Sequence, residues 1–274
     1  MKFGILLRVE NIADAEAKFK EVHDAGFPSC QLVFKPAVYT KEDAEVIKAA
    51  AAKYDVEISA QFCGFYDNET TWDNYYGFQN AGLNIEAFRQ SRIEYVKNAC
   101  DFSNALGVTD IIIHAGFVPN DPFSPQYANL CASVYSIASY AKKLGMNLLL
   151  ETGGEAPITL LRMIQDVGTG NIFVNFDPAN IVMYGYGNPV DALEIIGKYV
   201  RNFHGKDGKL PTTPRELGVE TPVGQGWVDF EKVIKKLKSL EYDRFITIER
   251  EITGEQQTKD ILIAKEYLEK LWNS

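Results

Sequence analysis

Short apolar runs alternate along the chain with longer stretches in which apolar residues recur every three to four positions. Runs of this length and apolar content are typical of buried β-strands, whereas the longer period is typical of amphipathic helices. Eight strands are predicted, at 2–7, 30–34, 56–62, 109–115, 146–151, 171–176, 200–205 and 244–249. Eight helices are predicted between and after them, at 15–26, 41–54, 88–107, 127–145, 157–168, 191–198, 229–240 and 259–272.

This alternation of strand and helix predicts a parallel sheet covered by helices. Eight units of about 34 residues suit a single α/β domain, a (β/α)8 TIM barrel over residues 1–274, with its active site at the C-terminal face of the strands. A doubly wound open sheet is the alternative, and it predicts a phosphate-binding GxGxxG after the first strand. The segment GILLRVENIADAE contains no such motif, so we favour the barrel.

Two connections at the predicted C-terminal face are unusually long, 63–85 after strand three and 206–228 after strand seven. Both carry aromatic side chains, which suggests a lid over a small ligand. Aromatic faces stack on the C–H face of a sugar, although clustered aromatics also build small cores or dimer contacts. We therefore expect a sugar to contact at least one of these aromatic residues, which are Phe65, Trp72, Tyr75, Tyr76, Phe78 and Trp227. Phe65, Trp72 and Trp227 are the candidates we select.

Net charge and composition restrict the classes of partner. A formal net charge of −9 and a pI near 5.0 argue against binding to nucleic acid, which depends on clustered Lys and Arg. No run of 18 or more apolar residues suggests a transmembrane span, and the N-terminus lacks the pattern of a signal peptide. Four widely spaced cysteines without a CxxC fit free thiols in a reducing compartment. We expect a cytoplasmic protein without a membrane partner.

Four ionisable residues stand where the last four predicted strands end: Glu151, Asp177, His204 and Glu249. The ends of neighbouring barrel strands share one mouth, so these side chains should converge there. Three carboxylates and one imidazole suit Mn²⁺ or Mg²⁺, with Co²⁺ as another possibility, better than a structural zinc. A single carboxylate at a strand end is more often a loop residue or a helix cap. Four ionisable residues on consecutive strands are better explained as ligands of one divalent cation.

Three further polar residues are candidates for substrate binding at the same mouth. Lys206 lies two residues after His204, on the same side of the strand, and either contacts a substrate oxygen or pairs with Asp207 or Glu249. His114 ends strand four and could bind substrate, support a ligand or be structural. Asn180 could hydrogen-bond substrate or a water, or simply cap the following helix.

Five segments carry a family resemblance: LLLETGG, VNFDPAN, FHGKDG, PVGQGWVDF and TIERE. With them the chain resembles the xylose isomerase-like TIM barrels, and within these the branch of sugar isomerases and ketose 3-epimerases, such as tagatose, allulose and L-xylulose 5-phosphate 3-epimerases. The resemblance spans nearly the whole chain. It implies that the metal ligands on strands five to eight are Glu151, Asp177, His204 and Glu249.

The resemblance also implies a reaction. Glu151 and Glu249 would act as acid and base on opposite faces of a ketose, while the metal stabilises an enediolate. Two departures concern specificity: the epimerases commonly carry a histidine where this chain has Asn180, and an arginine soon after the strand-seven histidine, where it has Lys206. Specificity is therefore open while the chemistry is expected to be retained.

Alternatives to an epimerase or isomerase remain at this point. The same metal and base could dehydrate a keto-inositol-type substrate, as a lyase of this family does, or the barrel could bind a sugar without converting it. The sequence does not decide whether the sugar or polyol ketone substrate carries a phosphate. A homo-oligomer, a dimer or a tetramer, is expected from the exposed aromatics and from common practice in the family.

Overall fold

The computed structural model describes residues 1–35, 39–65 and 70–274. Eight parallel strands form a closed barrel in which each strand pairs with the next and the eighth pairs with the first. The barrel strands are β1 (Lys2–Leu7), β2 (Ser29–Val33), β3 (Glu57–Cys63), β4 (Asp110–Ile113), β5 (Asn147–Glu151), β6 (Ile172–Phe176), β7 (Val200–Gly205) and β8 (Phe245–Ile248). Closure between β1 and β8, with Ile5 opposite Ile248, excludes the open sheet and confirms the predicted TIM barrel.

All eight predicted helices are present, and the described residues contain two more. The helices are α1 (Ala15–Asp24), α2 (Asp43–Lys53), α3 (Gly77–Asn80), α4 (Glu86–Leu106), α5 (Pro125–Lys143), α6 (Pro157–Val167), α7 (Pro178–Met183), α8 (Pro189–Ile196), α9 (Phe230–Ser239) and α10 (Glu255–Asn273). The additional helices, α3 and α7, have 4 and 6 residues. Neither is long enough to show a helical period in the sequence.

The apolar core has two parts, as expected for strands covered by helices. A small cluster of Ala60, Ile112 and Leu149 packs with Phe62 and Phe173 on neighbouring strands, inside the barrel. A much larger cluster joins the outer faces of the strands to the helices. The interior cluster lies on β3 to β6, and buried polar side chains of β2, β6 and β7 also meet inside the barrel.

The two long connections are anchored to the barrel mouth in different ways. In the first, which includes residues outside the described ranges, Gly82 and Gly116 approach so closely that a Cβ on either would collide with the other's backbone. The second begins with two short antiparallel strands, Asp207–Gly208 and Glu220–Thr221. The buried carboxylate of Asp207 accepts backbone N–H groups from residues 208, 224, 226 and 228. These four hydrogen bonds hold the strand-seven connection in place at the barrel mouth.

Two sequence expectations concern cysteines and membrane spans. Cys30, Cys63, Cys100 and Cys131 are all free thiols, as predicted. Within the described ranges no helix combines the length and the apolar character that crossing a bilayer would require.

Candidate metal centre and substrate cavity

The four predicted ligands meet at one mouth of the barrel. Glu151 ends β5, Asp177 follows β6, His204 lies near the end of β7, and Glu249 follows β8. Their side chains are buried, and each offers one ligand atom within 4.8 Å of the other three. The parallel strands bring together residues that are up to 98 positions apart in the sequence (249 − 151).

His204 lies at the centre of this group. Its Nδ1 is 3.0 Å from Oε1 of Glu151 and 3.0 Å from Oε2 of Glu249. The same nitrogen lies 3.7 Å from Oδ2 of Asp177. One imidazole nitrogen therefore faces three carboxylates at once.

The hydrogen bonding of these residues fits a cation. In each of them one buried atom makes no hydrogen bond, namely Glu151 Oε2, Asp177 Oδ2, His204 Nδ1 and Glu249 Oε2, although the last of these forms an ion pair with Lys206. A buried polar atom left in this way costs about 1–3 kcal/mol. Four such atoms directed at one place form a ligand set, and oxygen-rich donors with one imidazole suit a divalent cation. The buried group is thus consistent with a divalent metal site.

Asp177 is oriented by the start of α7. Its Oδ1 accepts the backbone N–H of Asn180 at 2.9 Å, which caps the helix and leaves Oδ2 facing the group. The Thr152 hydroxyl receives the backbone N–H of Asp177 and donates to its carbonyl, both at 2.8 Å. The helix cap therefore holds the carboxylate in the orientation that a ligand requires.

Charges in this group shift one another's protonation. Burial disfavours the charged imidazole, but Glu151 and Glu249 outweigh it and raise the pKa of His204 well above its usual range. Burial raises the pKa of Glu249, but the charges of Lys206 and His204 outweigh burial and lower this pKa below its usual range. Glu249 is therefore ionised at neutral pH.

Lys206 is 2% exposed and extends into the same mouth. Its Nζ lies 2.6 Å from Oε1 of Glu251, 3.2 Å from Oε2 of Glu249 and 3.6 Å from Oδ2 of Asp177. Burial opposes its charge, but these carboxylates raise the pKa of Lys206 well above its usual range. The ion pair with Glu249 that the sequence left open is present, and Asp207 instead binds backbone N–H groups.

A cavity of about 320 Å³ opens above these residues, within the range of roughly 300–1,000 Å³ common for small-molecule sites. Five of the six predicted substrate contacts line it, namely Phe65, Trp72, His114, Asn180 and Lys206. The sixth, Trp227, is 57% exposed and is not part of the lining. The structure thus separates the strand-three aromatics from the strand-seven tryptophan.

Two of the lining residues have defined polar contacts. His114 Nε2 is 3.4 Å from Oε2 of Glu151, and the His114 ring centroid is 4.8 Å from that of Trp72. Asn180 does not cap α7 with its side chain. Its Nδ2 donates to the Thr152 carbonyl at 3.1 Å, and its Oδ1 lies 3.5 Å from Lys206 Nζ.

Three residues of the mouth were missed by sequence reasoning. Glu251 lies two residues after Glu249, so the two-residue period that suggested Lys206 could have found it. Glu155 is buried and accepts a hydrogen bond from the Gly153 N–H. The sequence could have indicated it as a second carboxylate shortly after Glu151. Gln31 lies inside β2, and nothing in its local sequence indicates a role.

Comparison with known proteins identifies the family. The family model described as xylose isomerase-like TIM barrel matches residues 19–271. The solved structure of a xylose isomerase domain protein from Planctomyces limnophilus is similar, with 32% identity, a TM-score of 0.90, and coverage of 98% of this chain and 96% of that one. A D-tagatose 3-epimerase-like protein shares the fold, with a TM-score of 0.76, 21% identity and coverage of 100% and 97%.

A relative with an enzyme name is also similar to this chain. The inosose dehydratase of Clostridium perfringens is 24% identical over 76% of this chain and 74% of its own length. The matched family model covers almost the whole chain, and the closed barrel agrees with its description. The chain belongs to the xylose isomerase-like TIM barrel family.

Proposed function

We propose that this protein is a divalent-metal-dependent epimerase or isomerase of a ketose or a related polyol ketone. The observation that carries the proposal is the pair of buried glutamates, Glu151 and Glu249, each with one carboxylate oxygen 3.0 Å from His204 Nδ1 at the base of the cavity. Two carboxylates at one small-molecule site can remove and return a proton. The similarity to the D-tagatose 3-epimerase-like structure supports this chemistry.

The residues that would hold the cation are Glu151, Asp177, His204 and Glu249, and Mn²⁺ is the cation we propose, with Mg²⁺ or Co²⁺ as substitutes. A bound divalent cation supplies Lewis-acid polarisation of the substrate's carbonyl oxygen. Asp177, held by the α7 cap, and His204 would only bind the cation and would take no part in the proton transfers.

The proton transfers fall to the two glutamates. One carboxylate takes the proton from the carbon beside the carbonyl, and the electron pair of that C–H bond moves to the carbonyl as an enediolate forms. The other glutamate then gives a proton to the opposite face, which inverts the carbon. Glu249 suits the role of base because Lys206 and His204 keep it ionised. General acid–base catalysis of this kind contributes roughly 10²–10⁴-fold.

Side chains around the cavity would orient the sugar. Lys206 holds the charge of Glu249 and offers N–H donors to a substrate oxygen, and His114 and Asn180 offer further polar contacts. Trp72 and Phe65 provide aromatic faces for the C–H surface of the ring. Trp227 is left out of the proposed sugar site because it lies outside the cavity.

The charge of the cavity favours a sugar without a phosphate. Among the described lining residues the cations are Arg8 and Lys206, and the carboxylates are those of Glu249 and Glu251. Lys206 is already paired with both carboxylates. With Lys206 held by these carboxylates, Arg8 is the one remaining cation among the described lining residues for a dianionic phosphate, so we propose a neutral ketose.

A dehydratase is the second candidate, and the similarity to the Clostridium inosose dehydratase favours it. The same base would remove the proton, and a β-hydroxyl would then leave as water instead of a proton returning. A barrel that only binds sugar is a third possibility, although an acid–base pair has no use in such a protein.

The decisive experiment incubates the Mn²⁺-loaded protein in D₂O with free ketoses, their phosphates and a keto-inositol, followed by NMR of the products after metal removal. An epimerase or isomerase incorporates one carbon-bound deuterium without loss of water, whereas a dehydratase forms an absorbing enone. Glu151→Gln and Glu249→Gln should each abolish the exchange. The control is Glu194→Gln on the surface of α8, which should not change it.

Two outcomes would reject the enzymatic proposal. One is tight sugar binding without hydrogen exchange on any substrate, which identifies a binding protein. The other is unchanged exchange in Glu151→Gln and Glu249→Gln. The expected homo-oligomer is a separate proposal, and light scattering of the purified protein would test it.

A further inference from the structure

The edge of the His204 ring that points away from the carboxylates contacts a glutamine inside the barrel. Gln31 lies on β2, is fully buried, and places its Oε1 2.8 Å from Nε2 of His204. The two residues are 173 positions apart and meet across the barrel interior. This contact lies on the opposite side of the imidazole from Nδ1, which faces the three carboxylates.

A third buried side chain determines which atom of Gln31 faces the histidine. The Nε2 of Gln31 lies 3.5 Å from Oδ1 of Asn175, a residue of β6 with no exposed surface. Because this amide nitrogen is directed at an acceptor, the oxygen of Gln31 is left to face His204. Asn175 Nδ2 is itself 3.2 Å from His204 Nε2, a longer contact than the one to Gln31.

The chemistry of the two side chains then sets the position of a proton. An amide oxygen can only accept a hydrogen bond, whereas the amide nitrogen of Asn175 would need an acceptor at the same atom; the shorter contact, to Gln31, is the hydrogen bond and places a hydrogen on His204 Nε2. When a cation is bound, the imidazole is neutral and carries one ring hydrogen; with that hydrogen on Nε2, the lone pair of Nδ1 is directed at the cation. In the opposite tautomer the hydrogen would be on Nδ1, directed at the place where the carboxylates converge. Nδ1 would then have no lone pair with which to bind a cation.

We propose that Gln31, oriented by Asn175, is a positioning residue that keeps His204 in the Nε2–H form, with Nδ1 ready to bind the cation. The inference rests on the metal site of the proposed function. Partners of this kind on a metal-binding histidine typically change metal affinity 10–100-fold when removed.

Mn²⁺ affinity of the purified metal-free protein, measured by calorimetric titration, tests the proposal in three variants. Gln31→Leu removes the acceptor and should weaken Mn²⁺ binding about 10–100-fold. Gln31→Glu keeps an oxygen acceptor at the same reach and should restore tight binding. Gln61→Leu is the matched control: Gln61 is equally buried on β3, but its Oε1 contacts Ser103 of α4 and not His204.

A measurement on the unaltered protein keeps the proposal testable if Gln31→Leu does not fold. Long-range ¹H–¹⁵N NMR of the Mg²⁺-saturated protein should show a proton on Nε2 of His204, assigned among the three histidines with His23→Gln and His114→Gln. A proton on Nδ1 would overturn the inference. So would equal Mn²⁺ affinity in Gln31→Leu and Gln61→Leu.

The two proposals fail in different ways. If the unaltered protein binds Mn²⁺ and exchanges substrate hydrogen while Gln31→Leu binds Mn²⁺ just as well, only the role of Gln31 is rejected. If the unaltered protein binds no Mn²⁺, the metal-dependent function is rejected together with the inference built on it.

Discussion

Nζ of Lys206 lies 3.2 Å from Oε2 of Glu249, with both side chains almost completely buried. A charge in such a place is costly unless it is paired, and removing one partner of a buried pair leaves the other uncompensated. Glu249 therefore depends on Lys206 for its ionised form, and the substrate cavity lies directly above them.

Lys206→Met should lower kcat/KM for the ketose that exchanges fastest by about 10²-fold, as loss of one well-placed charged donor typically does. The matched control is Lys209→Met, three residues along the same connection and exposed, which should stay close to the unaltered enzyme. Steady-state kinetics with saturating Mn²⁺ provides the comparison. Equal activity of both variants would remove Lys206 from the proposed site.

Metal removal should destabilise the fold because it leaves three carboxylates facing one another across His204. Adding Mn²⁺ at 100 times its dissociation constant should stabilise the native state by about 2.7 kcal/mol. Asp177→Asn replaces the carboxylate but keeps an oxygen that can cap α7, so it should lose most of this gain. Urea unfolding with EDTA and with Mn²⁺ measures both proteins; an equal gain would show that the cation binds elsewhere.

Trp72→Ala and Trp227→Ala test whether the cavity defines the sugar site. Trp72 lines the cavity beside His114, so its loss should raise KM about tenfold, equivalent to about 1.4 kcal/mol. Trp227 is 57% exposed outside the cavity and its loss should leave KM unchanged. The opposite ranking would place the sugar against the strand-seven connection.

Glu155 should make stability depend on pH. Burial, and to a smaller extent the nearby Glu151, raise the pKa of this carboxyl to about 8, although the Gly153 N–H opposes the shift. In the unfolded chain it should titrate near the usual value of about 4.3. Between these values the unfolded chain has released a proton that the folded protein retains, so the free energy of unfolding falls as pH rises.

Glu155→Gln should abolish this decline. Urea midpoints of the EDTA-treated protein from about pH 5 to about pH 8 should therefore fall in the unaltered protein more steeply than in the variant, and level off above about pH 8. Parallel curves would mean that Glu155 is ionised in the folded protein.

The barrel could be predicted because each of its parts has a local signal. Strand and helix periods are properties of neighbouring residues, and eight repeats of the pair leave few architectures. The convergence of Glu151, Asp177, His204 and Glu249 could be predicted for a related reason: all parallel strands end at the same mouth, so strand-end residues must meet. Helices α3 and α7 lacked a signal because they are shorter than two helical turns.

The local sequence pattern could not show which of two residues of the same type reaches the cavity or forms a given contact. Trp72 and Trp227 both lie in long loops, yet only Trp72 reaches the cavity, because the Asp207 anchor fixes the path of the strand-seven connection. Lys206 had two candidate partners, and the structure chose Glu249 since Asp207 is occupied by backbone N–H groups. Both choices depend on where loops fold back, which a one-dimensional period does not encode.

By itself the sequence determined the closed barrel, the family, and the convergence of Glu151, Asp177, His204 and Glu249. Only the tertiary structure decided how these groups are held: which oxygen of Asp177 caps a helix, and which nitrogen of His204 meets Gln31 from the far side of the barrel. The order of the strands follows from the alternation of strand and helix along the chain. The orientation of a buried side chain follows from its contacts, and these join residues as much as 173 positions apart.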